Sequence, residues 1–114
     1  MENLGKHCTL ELYGVDPHLL NDLAFLDDVL RKAAIESGAT ILDSVFKQFE
    51  PQGITMLLLL AESHVSIHTW PENKTAAVDI YTCGDCDPQK AVSYIVEALS
   101  PTTHTSRCFT RGGV

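Results

Sequence analysis

Residues 54–83 read ITMLLLLAESHVSIHTWPENKTAAVDIYTC, and this stretch decides the fold. The nearly continuous apolar run at 54–61 is typical of a buried central strand. Residues 64–69 alternate strictly between polar and apolar, and a second strand pattern at 76–83 follows a short loop at 70–74. The stretch therefore predicts three consecutive strands, of which the last two pair as an antiparallel hairpin.

Two predicted helices flank these strands, and both begin with the same signal. An Asp-Pro pair at 16–17, and another at 87–88, places an N-cap residue before a proline in the first helical turn. Apolar residues then recur at helical spacing until Gly38 in the first helix and until Ser100 in the second. Further strands are predicted at 7–13, 40–49 and 103–110.

The predicted element order is β-α-β-β-β-β-α-β. Two helices cannot cover both faces of a sheet this wide, so the order predicts a two-layer α/β sandwich with a largely antiparallel sheet and helices on one face. The other face of the sheet is expected to meet either solvent or a second copy of the chain.

Length and composition predict one domain and exclude several function classes. The chain has 114 residues, of which 45% are hydrophobic, and this fits a single core. The net charge of −7 argues against binding nucleic acid. The longest apolar run, at 56–61, is far shorter than a membrane helix requires, and the N-terminus lacks a signal-peptide pattern. We therefore expect a cytoplasmic protein without a membrane partner.

Four cysteines occur, at positions 8, 83, 86 and 108, and we expect them to be free thiols in a reducing compartment. The pair Cys83 and Cys86 forms a CxxC motif. Structural zinc would need a second pair of ligands at suitable spacing, and Cys8 and Cys108 are isolated in the sequence. A zinc site and a redox motif both remain open, and we expect no metal.

Polar side chains that could act in acid–base chemistry or metal binding share one face of the predicted hairpin. If the apolar faces of the two strands match, the set on the other face is His64, Ser66, His68, Asp79, Tyr81 and Cys83. Such groups are costly to bury unless they are paired or functional. A solvated outer face and a metal site formed by His64, His68 and Cys83 are the alternatives.

The segment AESHVSIHTWPE at 61–72 resembles the processing motif of the prokaryotic pyruvoyl-dependent S-adenosylmethionine decarboxylases, and YTCG at 81–84 follows at that family's usual distance. Further segments that resemble the family are LGKH at 4–7, ESGAT at 36–40 and FEPQG at 49–53. The resemblance thus extends over almost the whole chain.

The resemblance implies that the chain cleaves itself between Glu62 and Ser63 into chains 1–62 and 63–114. Attack of the Ser63 hydroxyl on the Glu62 carbonyl, followed by elimination, would convert residue 63 into a pyruvoyl group. That cofactor would bind the substrate amine as a Schiff base and accept the electrons left by carbon dioxide. The product, decarboxylated S-adenosylmethionine, would serve spermidine biosynthesis.

The resemblance also implies roles for individual residues. His68 would act as the base in processing, and Cys83 would donate a proton during decarboxylation. The hydroxyl of Thr55 would support the processing oxyanion. Ser63 and His68 have opposite parity along one strand, so we expect a bend at Ser63 unless His68 acts from elsewhere.

Substrate contacts are implied for Phe49, Trp70 and Glu72, which match family positions that bind the adenosyl and ribose groups. An aromatic face also attracts the sulfonium charge. From the residues alone, Phe49 could equally be core, Trp70 a packing residue and Glu72 a solvated loop residue.

Two other functions stay open from the sequence. One is a pyruvoyl-dependent arginine or ornithine decarboxylase, and the other is a small binding module that is not an enzyme. Met56 stands where the family commonly has a small residue, and we expect it to narrow the pocket. Because small enzymes often build their sites between subunits, we expect a homodimer of processed protomers.

Overall fold

A six-stranded sheet runs through residues 4–112, the part of the chain that the computed structural model describes. In chain order the elements are β1 (Gly5–Tyr13), α1 (Pro17–Leu20), α2 (Leu23–Glu36), β2 (Ile41–Gln48), β3 (Ile54–Leu60), β4 (Ser63–Trp70), β5 (Thr75–Cys83), α3 (Pro88–Leu99) and β6 (Thr103–Arg111). A 3-10 turn, Pro71–Asn73, joins β4 to β5. The strand order is β2-β3-β4-β5-β1-β6, and every neighbouring pair is antiparallel.

The predicted two-layer sandwich is confirmed, with one difference in its helices. The helix expected from residue 16 to Gly38 is two helices, because Asp22 starts a new one by accepting a hydrogen bond from the backbone N–H of Phe25. Asn21 ends α1, and its side chain accepts a hydrogen bond from the backbone N–H of Gly53. No helix within residues 4–112 is long and apolar enough to cross a membrane.

The core lies between the helices and one face of the sheet. Alternate residues of β1, β3, β4 and β5 point into it and meet the apolar sides of α2 and α3. The largest fully buried side chains include Leu10, Leu12, Leu26, Leu30, Leu58, Ile67, Ile80 and Ile95. No helix of residues 4–112 covers the opposite face of the sheet, which we call the open face.

The apolar run in β3 is buried on one side only. Met56 and Leu58 lie in the core, whereas Leu57 and Leu59 on the open face are 39% and 53% exposed. The predicted central position of this strand is confirmed, because β3 lies between β2 and β4, and its open-face side chains belong to the sheet face that was expected to meet solvent or a second copy of the chain. Met56 is 1% exposed on the core side, so it does not narrow a pocket on the open face as expected.

The expectation of four free thiols is also wrong. Cys8 and Cys108 form a disulfide, and Cys83 and Cys86 are free. The physical reason is the strand register: Cys8 in β1 lies directly opposite Cys108 in β6, and their Cα atoms are 4.1 Å apart. A sequence separation of 100 residues conceals this proximity.

Candidate active site

The turn between β3 and β4 is the centre of the candidate site. Leu60 and Ser63 are paired, so Ala61 and Glu62 alone form the turn. Two-residue hairpin turns normally take positive φ at one or both of their central residues. Here the positive φ lies at Ser63, at 150°, in a region that side chains other than glycine rarely occupy. The bend expected at Ser63 is therefore present, and it strains the backbone next to the Glu62–Ser63 peptide bond.

Hydrogen bonds hold this turn in place. The Glu62 carboxylate accepts a hydrogen bond of 2.9 Å from the backbone N–H of Thr40. The backbone N–H of Ala61 donates to the Thr40 carbonyl, also at 2.9 Å. The chain segment before β2 thus fixes both residues of the turn.

Two side chains contact the reacting atoms of the predicted cleavage site. The Cys83 thiol, at the end of β5, donates a hydrogen bond of 2.9 Å to the carbonyl oxygen of Glu62. The Ser63 hydroxyl lies 3.3 Å from Nδ1 of His64. A donor on the carbonyl oxygen and a base beside the adjacent hydroxyl are the groups that an attack of Ser63 on Glu62 requires.

His64 is a site residue that the sequence reasoning did not assign. The alternation pattern predicts that it lies on the polar face, but the family resemblance assigns the base in processing to His68 alone. The signal that could have identified it is its position immediately after the nucleophile, in a strand that turns at Ser63. Its ring also packs edge-on against Tyr81, with centroids 5.8 Å apart.

An open cleft of about 540 Å³ surrounds the turn. Its walls include Leu59, Glu62, Ser63, His64, Tyr81 and Cys83. The predicted shared face is thus confirmed for this end of the hairpin, where His64 pairs with Tyr81 across β4 and β5.

A second polar cluster adjoins the cleft on the open face. His7 of β1 is bonded through Nε2 to Asp79 at 2.9 Å. The Arg111 guanidinium lies over the Tyr81 ring, 5.0 Å from its centroid, and 3.4 Å from Nδ1 of His7. The first and last strands therefore contribute side chains beside the cleft.

The remaining predicted residues lie at the other end of the open face. Thr55 and His68 are opposed across β3 and β4, and the Thr55 hydroxyl is 3.0 Å from Nδ1 of His68. The Trp70 ring stacks on His68 with centroids 6.3 Å apart. Phe49, in the turn before β3, and Glu72, in the 3-10 turn, are exposed near the same end.

The structure does not bring His68 to Ser63 within one chain. The two residues are five positions apart in β4, and a strand rises about 3.3 Å per residue, so about 16 Å separates them. The predicted site residues therefore form two groups: Glu62, Ser63 and Cys83 at one end, and Phe49, Thr55, His68, Trp70 and Glu72 at the other.

The free thiol of Cys86 lies beside the first group. Burial raises its pKa above the ordinary value, and the Glu62 carboxylate and Cys83 add to the shift. Within residues 4–112, no three His, Cys, Asp or Glu side chains are arranged to hold a metal ion. His64, His68 and Cys83, the metal ligands considered from the sequence, are divided between the two ends of the face.

Comparison with known proteins identifies the family. The profile of the S-adenosylmethionine decarboxylase family matches residues 6–112. The chain is 51% identical over 109 residues to the S-adenosylmethionine decarboxylase proenzyme of Synechococcus sp. (strain WH7803), covering 95% of this chain and 85% of that protein. It is 50% identical over 109 residues to S-adenosylmethionine decarboxylase proenzyme 2 of Bacillus anthracis, covering 95% and 89%.

Solved structures agree with this result. The crystal structure of the adenosylmethionine decarboxylase of Aquifex aeolicus superposes with a TM-score of 0.91 at 39% identity, covering 100% of this chain and 95% of that one. The Trypanosoma brucei AdoMetDC-delta26 monomer shares the fold, with a TM-score of 0.65 at 12% identity over 89% of this chain and 44% of its own. The chain therefore belongs to the S-adenosylmethionine decarboxylase family.

Proposed function

We propose that this chain is a proenzyme that cleaves itself between Glu62 and Ser63, yielding chains 1–62 and 63–114, and then decarboxylates S-adenosylmethionine for spermidine biosynthesis. The observation that carries the proposal is the contact between the Cys83 thiol and the Glu62 carbonyl oxygen, beside the strained Ser63. Family membership supports S-adenosylmethionine as the substrate over arginine or ornithine.

Self-cleavage uses groups that already surround the peptide bond. His64 accepts the proton of the Ser63 hydroxyl as its oxygen attacks the Glu62 carbonyl carbon. The Cys83 thiol donates to the oxyanion that forms. The acyl group passes from nitrogen to oxygen, which releases the strain at Ser63, and a base then removes the α-proton of residue 63. Chain 1–62 departs as a carboxylate, and hydrolysis of the dehydroalanine at position 63 releases ammonia.

The pyruvoyl group that results would stand at the start of chain 63–114 and supply the electron sink that decarboxylation needs. The surroundings of Ser63 fit such a group, because the Cys83 thiol and the His64 ring lie beside residue 63 and could donate hydrogen bonds to its oxygens. The Cys83 thiol lies beside position 63, which supports it as the group that protonates the substrate carbon.

The separation of the two residue groups supports a site built by two copies of the chain. In an isologous dimer the same surface pairs with itself, so stacking two open faces antiparallel sets the Ser63 end of one copy against the His68 end of the other. The exposed side chains of Leu57 and Leu59, together with Val45 at 61% exposure, offer apolar area for that contact. His68 and Thr55 of one protomer would then assist cleavage in its partner.

Substrate contacts follow the same division. Phe49, Trp70 and Glu72 lie with His68, so each protomer would supply the binding residues for the pyruvoyl group of its partner. Aromatic rings attract the sulfonium cation, and the Glu72 carboxylate accepts hydrogen bonds from ribose hydroxyls.

The test is coexpression of Ser63→Ala and His68→Ala chains. Each variant alone fails to cleave efficiently. In a random mixture half of the dimers are heterodimers, and each holds one intact site out of two, so about a quarter of the wild-type cleavage should return. Mass spectrometry identifies the cut chain, which must be the His68→Ala chain because it retains Ser63.

The outcomes separate the parts of the proposal. No cleavage in the mixture, with each variant folded, means that the shared site is wrong. Wild-type chain that stays uncut refutes self-processing altogether. Release of carbon dioxide from labelled arginine or ornithine, but not from S-adenosylmethionine, refutes the substrate. The cytoplasmic location expected from the sequence stays a prediction.

A further inference from the structure

The disulfide joins the two ends of the chain across the edge of the sheet. Cys8 lies in β1 with its side chain fully buried, and Cys108 lies in β6, where it is exposed. In the part of the chain that the structure describes, β6 is an edge strand and pairs with β1 alone. The disulfide therefore links the last strand, β6, covalently to β1, the strand with which it pairs.

The two cysteines of this disulfide lie on opposite sides of the proposed cleavage site. Residues 1–62 contain one cysteine, Cys8, and residues 63–114 contain the other three, Cys83, Cys86 and Cys108. We propose that the Cys8–Cys108 disulfide covalently links the two product chains of the mature enzyme, so that cleavage leaves one cross-linked protomer. This inference rests on the proposed cleavage between Glu62 and Ser63.

The chemistry of the link is a two-electron oxidation. Each thiol loses its hydrogen as the sulfur–sulfur bond forms, and the two electrons and two protons pass to a small-molecule disulfide such as glutathione disulfide, which becomes two thiols. Cys83 and Cys86 stay reduced, so the thiol that contacts the Glu62 carbonyl remains a donor.

The link is also placed where a reductant can reach it. A thiolate must attack one sulfur along an open path, and exposed Cys108 provides it while buried Cys8 does not. A surface depression of about 240 Å³ between β6 and the start of α3 has Cys108 in its wall. Reduction would remove the covalent link on the strand that carries Phe109 and Arg111 beside His7, and would leave that strand held by its pairing with β1.

The test is alkylation of the purified mature protein under denaturing conditions, without and with reductant, followed by intact mass measurement. Without reductant we expect one species that contains both chains and two alkylated thiols. With reductant we expect chain 1–62 with one alkyl group and chain 63–114 with three. Two separate chains without reductant, bearing one and three alkyl groups, would overturn the proposal.

Failure of cleavage gives a different result. An uncut chain gives one full-length species in each condition, and the number of alkyl groups that it carries without reductant still reports the disulfide. Two groups without reductant, with Cys8 and Cys108 in one cross-linked peptide after digestion, support the bond alone. Four groups overturn it.

A matched pair of variants tests the consequence for assembly. A tether supplies an effective concentration on the order of millimolar, so the two chains of a linked protomer should refold together after urea removal, and the recovered circular-dichroism signal should hardly depend on protein concentration. Cys108→Ser should still cleave itself, yet its recovery should fall with dilution at micromolar protein. Cys86→Ser, which also removes one cysteine, should recover like the wild type. Equal recovery of Cys108→Ser at all concentrations contradicts the tether.

Discussion

Replacing Cys83 by Ala should slow self-cleavage as well as decarboxylation. The thiol donates a hydrogen bond of 2.9 Å to the Glu62 carbonyl oxygen, and it is the one side chain that contacts this oxygen within residues 4–112. Attack by Ser63 turns that oxygen into an oxyanion, so the contact strengthens in the transition state. Cys83→Ala removes the donor and leaves the backbone of the turn in place.

The magnitude follows from the nature of the donor. Loss of one oxyanion donor lowers a rate by about 10²–10³-fold in well-studied enzymes. A thiol is a weak donor, so we expect a smaller effect than this range, about tenfold to a hundredfold slower cleavage, or about 1.4–2.7 kcal/mol in the barrier. Cys83→Ser restores a hydroxyl donor on a shorter bond and should recover part of the rate.

The assay follows uncut chain against time after rapid purification or refolding, by gel or intact mass. Cys86→Ala is the matched control, because Cys86 is a second free, largely buried cysteine three residues after Cys83, but its thiol makes no hydrogen bond to Glu62. It should cleave at nearly the wild-type rate. Cleavage of Cys83→Ala at the wild-type rate would show that the thiol does not act on the carbonyl before the cut.

Two further predictions concern the other residue group. Thr55→Val keeps the side-chain shape but removes the hydroxyl that contacts Nδ1 of His68. The rate of self-cleavage, measured on a gel, should fall by about two- to tenfold, which is the equivalent of one neutral hydrogen bond. An unchanged rate would mean that Thr55 does not position His68. Glu72→Gln removes the carboxylate that we propose binds ribose. It should raise KM for S-adenosylmethionine by about ten- to a hundredfold, measured as carbon dioxide release, while the chain still cleaves itself. An unchanged KM would show that Glu72 does not belong to the binding site.

Local patterns were sufficient to predict most of the architecture. The alternation at 64–69 and at 76–83 predicted the hairpin and its shared polar face, and the structure pairs His64 with Tyr81 as that face requires. Both Asp-Pro pairs start helices as predicted. These features depend on residues close together in sequence, so propensity and periodicity report them.

Features that depend on contacts between distant parts of the chain could not be predicted from the sequence. The helix break at Asn21 is held by a bond to Gly53, and the disulfide depends on the register of the first and last strands. The opposite parity of Ser63 and His68 did indicate that one straight strand could not bring both side chains to the same site. The structure shows both a bend at Ser63 and a distance of about 16 Å along β4.

If the chain is cut as proposed, the six strands are divided between the two product chains in a mixed order along the sheet. β2 and β3 belong to chain 1–62, β4 and β5 to chain 63–114, β1 again to the first, and β6 to the second. Three of the five strand pairings, β3 with β4, β5 with β1, and β1 with β6, would therefore join different polypeptides once the chain is cut. Neither product holds a complete sheet or a complete core, so the uncut precursor is the folding unit. If the coding sequence were split at the cleavage point, each of the two chains would lack strands that the other needs as neighbours in the sheet, so neither would fold alone.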